Sequence, residues 1–203
     1  MIGNYIKAVA AAVSRTTAQL MKTGQTTSYR TGDDGDLEAG RTVSFTTLAE
    51  NNPFGNTNRF TDELGVQTYT NNIVIDWSTY NGATVLGYKR TDNGVNITWD
   101  NSIDGALAVS LGTFTTGWRL PNINEIISIC NWSLAASRYL AYSPFLLNSA
   151  VTYWSSTTNA VSTASSQTFV NNTAVIATTS KTASTSMRYF AVRTFTVTGT
   201  TLS

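Results

Sequence analysis

Apolar residues recur along this chain at helical spacing first and at strand spacing later, with an aperiodic stretch between. Over residues 4–22, Ile6, Val9, Ala10, Val13, Thr17, Leu20 and Met21 return every three or four positions. That predicts a helix with a narrow, alanine-rich face. Such a helix is marginal alone in water, so its face needs a partner. Either it lies on its own domain, or Ile6, Val9, Val13 and Leu20 form a seam about an oligomer axis or dock on another protein. Residues 23–41 have no period. Asp33, Asp34, Asp36 and Glu38 crowd there without the spacing of a calcium loop, which predicts a turn held by Asp side chains.

Residues 42–203 carry the remaining pattern. Strands are predicted at 43–48, 66–70 and 73–77, with 66–70 and 73–77 forming a hairpin across Asn71-Asn72, and 85–90 reads as a further short strand or a loop. Thr98 or Asp100 would cap a helix over 98–108. Pro121 disfavours the α region for Leu120, and Asn122 with Glu125 three residues later predicts a capping box. Ile123, Ile126, Ile127 and Cys130 then form one stripe, predicting a helix through about residue 132. Trp118 reads as a core plug and Arg119 as a tether to a carboxylate or to backbone carbonyls. The last third predicts strands at 151–156, 168–170, 174–177 and 187–193, with Asn171-Asn172 as a two-residue turn. The fold class expected is α+β.

Composition narrows the chemistry. Of 203 residues only 12% are charged, against roughly 25% in ordinary soluble domains. Thr, Ser and Asn supply the polarity, which suits a protein working outside a cell. The net charge of +1 offers no footprint for nucleic acid or an anionic membrane. With no histidine and a single cysteine, the commonest general base and any Cys-based zinc site are absent, and no internal disulfide can form. No metal or cofactor is expected. No stretch has membrane-spanning length, and the apolar run at 8–13 is too short for a secretion signal. The expectation is that a protein acting outside the cell leaves by lysis, in a particle or through a dedicated machine.

Three segments in order are distinctive: Trp118-Arg119-Leu120-Pro121-Asn122 with Glu125, then Tyr153-Trp154-Ser155-Ser156-Thr157-Thr158, then Tyr189-Phe190-Ala191-Val192-Arg193. Together they resemble the DUF1566 family, also called the Lcl C-terminal domain. Residues 22–27, 35–37, 59–62 and 98–100 are similar to that family's opening segments. The resemblance implies a C-type-lectin-like fold with two helices and short antiparallel strands, here preceded by an N-terminal helical arm (1–22) and a linker (23–41). Many members carry a cysteine after the first helix and another in the final strand; this chain has neither. The calcium-binding triplets of sugar-binding C-type lectins are missing too, which argues against calcium-bridged recognition.

The resemblance implies a surface role, since members occur on bacterial surfaces and in phages. The expectation is a non-enzymatic phage virion protein, a fibre or tail-tip subunit. It would be assembled in the host cytoplasm and act extracellularly as a homo-oligomer, a trimer favoured, joined to other virion proteins. Its lectin-like body would bind a host surface glycan or protein, with Asn159, Ser162, Asn171, Asn172, Lys181 and Tyr189 as candidate ligand residues on the late loops. A decoration protein without a ligand is the alternative, and a bacterial adhesin would need a signal sequence. Hydrolysis by Asp100 with Asp104 or Glu125 is the enzymatic alternative, disfavoured because Glu125 reads as a cap partner.

Overall fold

A computed structural model describes residues 25–37, 42–134, 139–159 and 162–203. The expected arm, with Ile6, Val9, Val13 and Leu20, lies outside the described residues. In the first half the strands are β1 (Thr42–Ser44), β2 (Thr47–Leu48), β3 (Phe60–Thr61), β4 (Ile73–Asp76), β5 (Thr84–Lys89) and β6 (Trp118–Arg119). They continue with β7 (Thr152–Asn159), β8 (Ser162–Val170), β9 (Val175–Ser180), β10 (Met187–Arg188), β11 (Val192–Thr198) and β12 (Thr201–Leu202). A single turn, α1 (Asp34–Leu37), precedes two longer helices, α2 (Trp99–Leu107) and α3 (Ile123–Ser128). The described chain is thus mostly β with a small helical content, in the α+β class expected.

A six-stranded sheet runs β12-β11-β5-β4-β3, with β6 also paired to β11. A four-stranded sheet runs β10-β7-β8-β9, and β1 with β2 makes a ribbon. β5 pairs antiparallel with β11 from Tyr88↔Val192 to Thr84↔Thr196. Both helices and the whole four-stranded sheet fall between those two strands, so the large sheet closes the chain on itself.

The alternation of the central strands serves both faces of that sheet. Val74, Tyr88 and Val192 enter one core with Ile123, Ile126 and Ile129 from the α3 region. Ile73, Ile75, Val85 and Phe195 enter a second core with Ala106 of α2, Trp118 and Trp154. A strand buried on both faces reads as a continuous apolar run, which is why β4 begins Ile73-Val74-Ile75. Each such side chain contributes about 1.5–3 kcal/mol by burial. Gly87 of β5 is the complement: a Cβ there would lie 2.4 Å from the Phe195 ring and 2.8 Å from Ile75 Cδ1.

Several elements depart from the sequence expectation. Residues 66–70 are not a strand. The buried Asp62 carboxylate accepts the backbone N–H groups of Leu64, Val66 and Tyr69 and the Thr68 hydroxyl, winding the segment into a loop. β4 pairs instead with β3 and β5. The α3 helix stops at Ser128 because tertiary donors take its last carbonyls. Arg59 Nη2 holds the Ser128 oxygen at 2.8 Å, and the Tyr142 hydroxyl holds that of Ile129 at 2.6 Å. The predicted run 187–193 splits into β10, parallel to β7, and β11, antiparallel to β5. The turn after β8 takes four residues, 171–174, with Ala174 at φ 53°.

Cys130 is 1% exposed, and burial pushes its thiol well above the ordinary range. It should therefore resist thiol reagents in the native protein at neutral pH and react fully once the chain is denatured. Rapid labelling of the native chain would contradict this.

Candidate binding surface

The two sequence motifs meet at the start of α3. Asn122 Oδ1 accepts from Glu125 N at 2.9 Å, and Glu125 Oε2 accepts from Asn122 N at 2.8 Å, so both halves of a capping box are present. Arg119 grips the same carboxylate, with Nη1 2.8 Å from Oε2 and Nη2 2.5 Å from Oε1. The Glu125 hydrogen bond raises the Arg119 pKa against the opposing effect of burial. The second motif then docks on the first. Ser156 N donates to the Pro121 carbonyl at 2.8 Å, and Thr157 Oγ1 accepts from Ile123 N at 3.1 Å. An irregularity of β7 between Trp154 and Thr158 makes this reach possible.

On either side of the junction the aromatic residues are structural. Trp118 is 1% exposed, donates its indole N–H to the Phe114 carbonyl at 2.8 Å and meets Phe195 edge-on. Trp154 donates to the Ile97 carbonyl at 2.8 Å. The Tyr153 hydroxyl, 2.9 Å from Asp92 Oδ2, is pushed up by burial and then by the Asp92 charge. Asp92 also accepts from Gly94 N, Asn148 N and Arg188 Nη1, which ties the helical half to the late strands.

The six candidate ligand residues do not converge. Asn159 and Ser162 pair at the β7–β8 end. Lys181 belongs to the same end, its N–H on the Ala164 carbonyl, but its ammonium lies 3.8 Å over the Trp99 ring. Asn171 and Asn172 lie past the opposite end of β8, nine steps and roughly 30 Å from Ser162. Asn171 is fully buried: its side chain accepts from Leu140 N and donates to the Asn148 carbonyl, a strut between loops rather than a surface group. Asn172 is exposed on the turn. Tyr189 is half-buried; its carbonyl accepts from Asn93 N, its N–H donates to Asn93 Oδ1, and its hydroxyl lies against Gly105.

A different set of residues forms a groove. Gln25, Thr26, Thr27 and Tyr29 line one part of it, Trp132 and Ser133 the other. Tyr29 is 83% exposed, a large aromatic with no core to fill. Asp33 fixes its backbone, Oδ2 accepting from Tyr29 N at 2.7 Å, and this contact lowers the Asp33 pKa. Trp132 is set by its contact with Tyr139, ring centroids 5.6 Å apart. Among the described residues no lining side chain is charged, and the surface they present is mostly polar, amide and hydroxyl groups beside Tyr29 and Trp132. The sequence carries a local signal for this groove. Tyr29 is an aromatic in a polar, aperiodic segment, and Trp132 stands one position or more off the α3 stripe.

Among the described residues no group of three or more His, Cys, Asp or Glu is placed to hold a metal ion. Asp100 and Asp104 are exposed on α2, while Glu125 is spent on Asn122 and Arg119. No described helix is long and apolar enough to cross a membrane. No family model matches this chain, and no curated protein matches it.

Proposed function

We propose that this chain is a non-enzymatic surface protein of a phage particle, a fibre or tail-tip subunit whose C-type-lectin-like body binds a host surface glycan. The observation that carries the reading is the closure of β5 on β11 around two helices and a small sheet, with the Trp118–Glu125 and Tyr153–Thr157 motifs hydrogen-bonded inside it. A body closed in this way presents loops without needing a disulfide or a metal. The groove between Tyr29 and Trp132 supports a neutral sugar: the exposed Tyr29 ring takes the apolar side of a pyranose, and the Thr26 and Thr27 hydroxyls stand beside it as polar partners. The arm, residues 1–22, would trimerise the chain and join it to other virion proteins.

The test is a glycan array probed with the full chain, followed by adsorption to host cells. A neutral glycan should bind, and Trp132→Ala or Tyr29→Ala should weaken it by about tenfold or more, equivalent to about 1.4 kcal/mol. Deleting residues 1–22 should abolish particle attachment and leave glycan binding by the body in place. An array without hits, together with no adsorption to cells, would overturn the recognition role and favour a decoration protein.

A further inference from the structure

Where glycine follows asparagine, no Cβ shields the glycine nitrogen from the asparagine side chain. The sequence holds two such pairs, Asn81-Gly82 and Asn93-Gly94. The fold treats them differently.

Asn81-Gly82 lies exposed in the turn that leads into β5, with Gly82 at φ 102°. Asn81 Oδ1 accepts from Ala83 N at 3.0 Å and from Thr84 N at 2.8 Å, and Nδ2 donates to Thr84 Oγ1 at 2.9 Å. Two fixed N–H groups thus point at the oxygen on which negative charge collects when a nucleophile adds to Cγ. The nucleophile is already in the chain. Gly82 N reaches Cγ by closing a five-membered ring, so little entropy is lost in the encounter. Among the described residues the Gly82 N–H donates to no acceptor that would hold it back.

Asn93-Gly94 is held shut. The Gly94 N–H is spent on Asp92 Oδ1 at 2.8 Å, and Asn93 Nδ2 on the Val95 carbonyl at 2.6 Å. Asn93 Oδ1 accepts from Tyr189 N at 3.1 Å, and Asn93 N donates to the Tyr189 carbonyl at 3.0 Å, which clamps the residue to a distant part of the chain. Ring closure there would break the Gly94 and Nδ2 contacts together.

We propose that Asn81 is a self-modification site, at which the folded chain converts the asparagine to an aspartyl or isoaspartyl residue. Gly82 N adds to Asn81 Cγ. The new C–N bond forms, the Cγ–Nδ2 bond breaks, and the Gly82 proton departs with the Nδ2 group as ammonia. Water then opens the cyclic imide. Its attack at Cγ gives aspartate; its attack at the main-chain carbonyl gives isoaspartate, with the backbone rerouted through Cβ. Either product adds one negative charge to a chain whose formal net charge is +1. Aspartate keeps an acceptor for Ala83 N and Thr84 N, so the turn stays. Isoaspartate lengthens the main chain beside the point where Val197 N donates to the Ala83 carbonyl at 2.8 Å, and so loosens the end of the β5–β11 closure. This chemistry does not depend on what the body binds.

The full chain is held at mildly alkaline pH, folded and in denaturant, then digested for peptide mass mapping with enzymatic detection of isoaspartate. In denaturant the two pairs should convert at comparable rates. In the folded chain Asn81 should convert about tenfold faster than Asn93 or more, a modest share of the roughly 10²–10³-fold that a fixed oxyanion donor gives in a water-excluded site. The Asn81→Gln variant must close a larger ring, and should show no conversion at position 81 over the same time. Equal rates in the folded chain, faster conversion at Asn93, or an Asn81 that stays intact while the denatured chain converts would each overturn the proposal. So would an undiminished isoaspartate signal in Asn81→Gln. The same tenfold difference in denaturant would place the cause in the local sequence rather than the fold, and overturn it too.

Discussion

Arg59→Met is expected to destabilise the protein by about 3–5 kcal/mol, the cost of breaking a buried ion pair from one side. Arg59 and Asp76 both have side chains with no exposure. The guanidinium donates to Asp76 through Nε at 2.9 Å and Nη2 at 2.8 Å, and to the Phe45 and Ser128 carbonyls. Its Cζ lies 4.5 Å from each of the Phe45 and Phe60 ring centroids. Burial works against the charge, and the Asp76 carboxylate outweighs it, so the Arg59 pKa is raised. Methionine fills much of the volume but leaves a carboxylate in the core that has, among the described residues, Ser78 N and Oγ as its remaining partners. It also frees the α3 carbonyl at Ser128. Denaturant titration should show a lower midpoint at an unchanged slope. The double variant Arg59→Met, Asp76→Leu should recover much of the loss, because the uncompensated charge goes with the second substitution. A single variant within about 1 kcal/mol of wild type would contradict the network.

The other large effect is expected of Trp118→Ala, at about 3–5 kcal/mol. Part of the loss is the cavity beside Phe195, and part is the Phe114 carbonyl left without its donor. The damage reaches further because Trp118 is half of β6. Its pairing with Arg193 sets Arg119 opposite Val192, from where the guanidinium reaches Glu125. For a chain of this length, calorimetry should show a drop of roughly 2–4 °C per kcal/mol. Trp118→Phe keeps the ring and loses the indole donor, so its cost should fall to about 1–3 kcal/mol, the penalty of an unsatisfied buried carbonyl. Equal effects from both variants would mean that packing matters little at this site.

What was legible in the sequence divides along the range of the interactions. The start of α3 could be read because its determinants lie within four residues: Pro121 sets the approach, and Asn122 and Glu125 satisfy each other's backbone. The Asp-held turn before it was readable for the same reason, since Asp33 bonds residues 29, 30 and 36. The end of α3 was not, because Arg59 and Tyr142, distant in sequence, take the carbonyls that a longer helix would use. Residues 66–70 alternate like a strand, yet one buried carboxylate collects their donors. The ligand candidates failed to converge for a related reason. They were chosen as polar loop residues, and polarity does not reveal which end of a strand a loop occupies. Asn171 looks like surface until Leu140 and Asn148 close on it. The groove rests on residues more than 100 positions apart in the chain, Tyr29 and Trp132, and only folding brings them together.

The central claim is that the two motifs are one hydrogen-bonded unit inside the β5–β11 closure. Native-state amide exchange at Ser156 and Ile123 tests it most directly, since those N–H groups bond Pro121 and Thr157 across the junction. Both amides should exchange as slowly as those of Tyr88 and Phe195 on β5 and β11, and Thr157→Val should speed the exchange of Ile123 alone. Rapid exchange at both amides, with β5 and β11 still protected, would mean that the motifs do not meet.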